Sequence, residues 1–171
     1  MKHLPSYLTA VCYDFKMLLA DEQHKIVVIN SLKYLVDAEQ IIIYGYVIMS
    51  NHIHIIWHAI GIKTNEQLQR SLLKYTADEF KKCLKNTNEQ FLAEFLVNKK
   101  DRNYQFWKRD SVQVDLYSEF FFRQKLEYIH MNPVRAGLCA LPEDYKYSSA
   151  VFYETGLDIW GLMNERTASR W

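Results

Sequence analysis

Apolar positions along the chain recur first at a period of two, then at helical spacing, and then at two again. Residues 7–14 alternate as a first strand does. Asp21 stands where a helix cap belongs, and Ile26, Ile29, Leu32 and Val36 form a stripe, predicting a helix from 21 to about 36. Residues 41–48 and 51–57 are β-branched and aromatic runs broken only by Met49 and Ser50, the pattern of an antiparallel pair. Thr64 with Gln67 has the form of a capping box, from which Leu68, Leu72, Tyr75 and Phe80 continue a long helix. Residues 86–104 are polar and lack a firm period, which reads as a frayed helix plus loop. Val112 and Val114 alternate inside a strand expected over 106–116. Ser118 can cap a last major helix, and Pro133 should end it, because the residue before a proline resists helical geometry. Turn signals and the aromatics Tyr145, Tyr147, Phe152 and Tyr153 fill the chain from Pro142 onward.

The order strand, helix, strand, strand, helix, strand, helix predicts an α+β fold, with helices packed on one face of an antiparallel sheet. A ferredoxin-like sandwich is its most economical version. At 171 residues the chain suits one domain. Residues 1–150 are expected to form it. Residues 151–171 would be a C-terminal tail whose Ile159, Trp160, Leu162 and Met163 close the core or a dimer interface.

Composition removes several classes. Hydrophobic residues at 49% and charged residues at 24% exclude global disorder. Lys plus Arg (21) nearly cancels Asp plus Glu (20), so the chain is not held to duplex DNA by bulk charge. The charge is uneven, netting −1 over residues 1–62, +4 over 63–110 and −2 over 111–171. Cys12, Cys83 and Cys139 are odd in number and far apart, without a CxxC pair, which fits a reducing, cytoplasmic setting. Nothing at the N-terminus reads as a signal peptide. Residues 40–62 hold no charged side chain over 23 positions, long enough to span a bilayer at about 20 residues. The span nevertheless contains Ser50, Asn51, three histidines and two glycines, and reads as two buried strands around a turn.

Two constellations carry possible chemistry. His52 and His54 flank Ile53, so on a strand both imidazoles share one face while Ile53 and Ile55 point to the other. That suits two metal ligands on a rigid element, and equally two polar residues on an open sheet face. Tyr128 and Asn132, four apart on a helix, lie one turn from each other. A phenol with its pKa near ~10 is a poor nucleophile unless it or its target is activated, as a nearby cation would do for a phosphate. Asn132 could add an oxygen ligand of the kind Mg²⁺ and Mn²⁺ favour. A buried helix tyrosine and a helix-ending Asn-Pro is the plainer reading of the same residues.

A resemblance joins these constellations. The stretch YGYVIMSNHIHIIWHA (44–59) resembles the His-hydrophobe-His strand of the HUH-type single-tyrosine transposases. QKLEYIHMNPVRAGL (124–138), followed by DYKYSSA (144–150), resembles the nucleophile helix and its sequel in the branch associated with repetitive extragenic palindromes. Residues 73–77 (LKYTA) and Phe106-Trp107 also fall where that family has similar residues, and the likeness spans about 7–150. It implies a ferredoxin-like catalytic domain, usually a homodimer, that cleaves and rejoins single-stranded DNA at hairpin or palindromic elements. By resemblance, His52, His54 and Asn132 would hold Mg²⁺ or Mn²⁺. Tyr128 would attack a phosphodiester, hold the 5′ end as a phosphotyrosine and free a 3′ hydroxyl. No ATP is needed, consistent with the lack of a Walker-type loop.

For DNA contact, Lys74, Lys108, Arg109, Arg123 and Arg135 are candidates, with Trp107 and Tyr117 as stacking platforms, although a core role for Trp107 is equally open. Phe120, Phe121 and Phe122 are expected to pack, and His130, on roughly the opposite helix face from Tyr128, to serve packing or hydrogen bonding rather than base catalysis. His58 has no place in the family pattern and could instead complete a zinc site with His52 and His54. A hairpin-binding protein without turnover, or a small zinc hydrolase, are the competing readings.

Overall fold

The computed structural model describes residues 4–163 and Thr167; the rest of the expected tail, 164–166 and 168–171, lies outside the described residues. Strand β1 (Ser6–Val11) leads to helix α1 (Glu22–Asp37), whose cap is Asp21, accepting a hydrogen bond from the Gln23 amide. Strands β2 (Ile41–Ile48) and β3 (His52–Ala59) follow, joined by the tight turn expected at Met49 and Ser50. Helix α2 (Asn65–Thr87) starts at the Thr64–Gln67 capping box, with both reciprocal bonds present. After a short helix α3 (Glu89–Ala93), strands β4 (Leu96–Lys99) and β5 (Arg102–Tyr104) form a hairpin. Strand β6 (Val112–Asp115), helix α4 (Glu119–Arg135) and the short α5 (Ala150–Thr155) complete the described elements.

The main sheet has the order β2-β3-β1-β6 and is antiparallel throughout. Taken without the α3-β4-β5 insertion, the succession β1-α1-β2-β3-α2-β6 is the ferredoxin-like unit predicted from the sequence. Parity divides the sheet. Leu8, Ala10, Ile53, Ile55 and Trp57 face α1 and α2 in the larger core. Tyr7, Ile42, Tyr44, Val47 and Ile56 face the other way, where Phe122 and Ile129 of α4 cover them. The two crossover helices therefore share one face, and α4 adds a third packed helix on the opposite one.

Several boundaries differ from the sequence pattern. The segment 86–104 is not a frayed helix and loop: α2 runs seven residues past Phe80, and the hairpin carries Phe95 and Tyr104 onto Phe106, with ring centroids 4.9 and 6.3 Å apart. Its strands are too short, and too rich in lysine and asparagine, to show a period. The strand expected over 106–116 is confined to Val112–Asp115, and Trp107 touches the sheet only through an isolated bridge to Cys12. Pro133 does not end α4. The helix runs on to Arg135 and stops at Gly137, whose φ of 71° is left-handed. Proline lacks only a donor; its carbonyl accepts from the Leu138 amide while Asn132 accepts from Ala136, so the closing bonds form around it. Burial of Asn132 and Pro133 against the sheet outweighs the local preference. The outer edge of β2 is covered: Tyr147 and Ser149 exchange backbone bonds with Ile48 and Tyr46, and the Thr167 hydroxyl donates to the Ile43 carbonyl. Leu162 and Met163 lie in the larger core. Among the described residues, no helix is long and apolar enough to cross a membrane.

Candidate functional site

β3 and α4 bring the two constellations together. His52 and His54 project from the α4 side of β3, their ring centroids 4.9 Å apart. Tyr128 meets His54 edge-on at 5.5 Å. Asn132, one turn further along α4, hydrogen-bonds to the His52 side chain. The helix reaches this position because Phe122, Ile129 and Pro133 face the sheet. The neighbouring stripe, Lys125, Tyr128, Asn132 and Arg135, then runs along its rim at intervals of three and four.

Close approach also depends on β2. The β2–β3 pairing slips between Ile43 and Gly45, and Leu126 of α4 occupies the space where a side chain at Gly45 would stand. A methyl there would collide with Leu126 Cδ1. Glycine permits this crossing by omission of a side chain, because its φ is not in the left-handed region.

His54 is only 5% exposed, whereas Tyr128 is 45% exposed. Burial pushes the His54 imidazolium down to about 3, with repulsion from His52, Lys125 and Arg135 adding to it. Burial also lowers His52, opposed by its bond to Asn132. Both rings are therefore neutral imidazoles with a lone pair to give near neutral pH. His54 Nδ1 lies 2.9 Å from the Tyr7 hydroxyl and 2.9 Å from that of Thr9, and His52 Nδ1 lies 2.7 Å from Asn51 Oδ1. With its Nδ1 engaged by both hydroxyls, His54 has its Nε2 left for a ligand. Two imidazole nitrogens beside an amide oxygen form a donor set that suits Mn²⁺ or Mg²⁺, with water or phosphate oxygens completing the shell.

The Tyr128 ring has a cation on its face. Arg135 places its guanidinium carbon 4.5 Å from the ring centroid and donates 2.7 Å to the Tyr128 carbonyl. Lys125 sits 4.9 Å over the Tyr7 ring. Tyr7, Thr9 and Lys125 escaped the sequence reading. Their signal is cross-strand register, Thr9 lying directly opposite His54, and no spacing along the chain reveals it.

The other candidates scatter. Lys74 is exposed on α2, across the sheet from α4. Trp107 is buried and donates 3.0 Å to the Thr76 hydroxyl, which gives it a core role. Lys108 donates its backbone N–H to Val11, near the His52 end of the sheet, and rests its ammonium over Phe15. Arg109 pairs with Asp101 at 3.4 Å and Arg123 with Glu119 at 2.6 Å. Of the three phenylalanines expected to pack, only Phe122 does; Phe120 and Phe121 are exposed, as is Tyr117. His130 bonds Ser149 at 2.9 Å, away from Tyr128, as expected. His58 pairs with Ile42 at the far end of β3, about 13 Å from His54 at ~3.3 Å per residue, so it does not join that pair. Among the described residues no group of three or more His, Cys, Asp or Glu side chains could hold a metal ion, which removes the three-histidine zinc site.

No protein-family model and no curated protein matches the chain. Solved structures do. The whole chain aligns with 94% of a REP-associated tyrosine transposase bound to a REP hairpin, at a TM-score of 0.65 and 14% identity. Three quarters of it (75%) aligns with 90% of a candidate transposase from Deinococcus radiodurans R1, at a TM-score of 0.50 and 13% identity. The chain thus shares its fold with a tyrosine transposase.

Proposed function

We propose that the protein is a cation-dependent DNA strand transferase that cleaves and rejoins single-stranded DNA next to a hairpin. The observation that carries this reading is the exposed Tyr128 phenol set edge-on against His54, with His52 and Asn132 alongside. Its support from outside the chain is the shared fold with a transposase bound to a hairpin.

In this scheme His52, His54 and Asn132 would hold a divalent cation, which would neutralise charge on the phosphate and make it more electrophilic. The Tyr128 hydroxyl oxygen attacks phosphorus in line. An O–P bond forms to the tyrosine as the bond from phosphorus to the 3′ oxygen breaks; the phenol proton leaves and the 3′ oxygen gains one. The 5′ end stays on the enzyme as a phosphotyrosine. Attack by a 3′ hydroxyl reverses the step, so bond energy is conserved without ATP. Helix α4 carries the nucleophile, and the Arg135 guanidinium over the face of its ring restrains it. Exposed Val112, Val114, Tyr117, Phe120 and Phe121 offer apolar surface on which unpaired bases can stack.

The test is a strand-cleavage assay on end-labelled hairpin oligonucleotides with single-stranded flanks, in Mn²⁺ or Mg²⁺. Wild-type protein should cleave, His52→Ala and His54→Ala should lose cleavage, and Tyr128→Phe should still bind the hairpin while cutting nothing. Cleavage by Tyr128→Phe would refute the scheme. Hairpin binding by the wild type with no cleavage in either metal would leave a hairpin-binding protein without turnover.

A further inference from the structure

We propose that Tyr7 and Thr9 are positioning residues for His54, a hydroxyl pair that pins Nδ1 so that only Nε2 faces the reacting centre. This rests on the reading of His54 as a cation ligand.

The geometry is specific. Tyr7 and Thr9 are two residues apart on β1, so their side chains leave the same face of the strand. Thr9 lies directly across from His54 in the β1–β3 register, and Tyr7, two residues away, lies across from Ile56. Both hydroxyls reach the same ring nitrogen at 2.9 Å, and they hydrogen-bond to each other. The Tyr7 ring also stacks on the imidazole, with centroids 5.4 Å apart and planes 14° from parallel. One ring nitrogen is therefore engaged twice, while stacking fixes the plane of the ring.

The chemistry follows from what a hydroxyl can do. An imidazole that gives its Nε2 lone pair to a cation must carry its proton on Nδ1, and that proton needs an acceptor. Tyr7 and Thr9 can each accept it, so the ligating tautomer has a partner for its Nδ1 proton. Partners of this kind orient a metal-binding histidine, and their loss typically weakens metal affinity about 10–100-fold. Lys125 of α4 lies over the Tyr7 ring and Tyr128 meets His54, so the Tyr7–His54 stack contacts the Tyr128-bearing helix at both rings.

Three variants of the full chain test this: Tyr7→Phe, which keeps the stacked ring, Thr9→Val, which keeps the shape, and the pair combined. Mn²⁺ affinity is read by electron paramagnetic resonance and the His54 tautomer by ¹⁵N NMR, with thermal melts confirming that each variant is folded. We expect one His54 tautomer in the wild type and two in exchange in the double variant, whose Mn²⁺ affinity should fall about 10–100-fold. Each single variant should lose less, because the remaining hydroxyl still accepts. A folded double variant with wild-type Mn²⁺ affinity and a single tautomer would overturn the proposal. If the wild type binds no Mn²⁺, the cation reading fails, and the tautomer measurement still decides whether the hydroxyl pair positions the ring.

Discussion

Replacing Gly45 by alanine tests whether the placement of α4 controls the chemistry. The added methyl would strike Leu126 Cδ1, two residues before Tyr128. Backbone conformation is no obstacle, and removing a glycine from a strand contributes about 0.5–1 kcal/mol to stability. Overpacking of this kind costs about 1–3 kcal/mol. Leu126 is half-buried and can turn aside, so the lower part of that range, about 1–1.5 kcal/mol, applies, and the net loss should be about 0.5 kcal/mol. Urea unfolding measures it as a fall in midpoint with an unchanged slope. The effect on rate should be larger. A shift of the helix by a fraction of an ångström moves Tyr128 relative to His54, and misplacement by about 1 Å can cost about 100-fold. Single-turnover formation of the DNA–protein adduct should therefore slow by about 10- to 100-fold. Leu126→Ala removes the colliding atom, so the double variant should recover most of that rate while becoming less stable. Wild-type rate in Gly45→Ala, or a slowed rate that Leu126→Ala leaves unchanged, would refute the reasoning.

Other outcomes follow from the same geometry. Trp107→Phe removes the bond to the buried Thr76 hydroxyl and should cost about 2 kcal/mol of stability in urea melts, with no loss of hairpin affinity at saturating folding; weakened binding by a fully folded variant would return Trp107 to the DNA surface. Arg135→Ala should weaken DNA binding and lower the salt slope by about one, whereas Lys74→Ala, on the far side of the sheet, should leave both unchanged; the measurement is binding by fluorescence anisotropy across a salt series. Cys12 is buried and its thiol is pushed up to about 12, while Cys83 and Cys139 are half-buried. A thiol reagent should therefore modify two cysteines in the native protein and the third only after unfolding, as counted by intact mass.

Much of the fold was legible because the strands and helices differ in period. The Asp21 and Thr64 caps and the β2–β3 pair formed where local chemistry placed them. What escaped was decided by packing. The aromatic stacking of Phe95 and Tyr104 on Phe106 makes an ordered hairpin from a polar segment with no period of its own. Burial carries α4 through Pro133 against a preference that is real but local. Within the site, His52, His54, Tyr128 and Asn132 were visible as spacings on single elements. Their meeting was implied by the family resemblance and not by the spacings, because it depends on α4 crossing the sheet at Gly45, and Tyr7 and Thr9 enter only through strand register. Surface charge was the least legible: Arg109 and Arg123 pair with Asp101 and Glu119, and Lys74 lies across the sheet from α4. Near-zero net charge excludes bulk attraction to duplex DNA, yet it leaves room for a local site whose reacting charge is met by a cation and Arg135.

The central claim is that Tyr128 becomes covalently joined to DNA. Wild-type protein incubated with a single-stranded hairpin substrate and Mn²⁺ can be denatured, digested with protease and nuclease, and analysed by tandem mass spectrometry. The account predicts a single nucleotide-bearing peptide, with the phosphate on the Tyr128 oxygen. The same modification on a different residue, or cleaved DNA with no modified peptide at all, would contradict it.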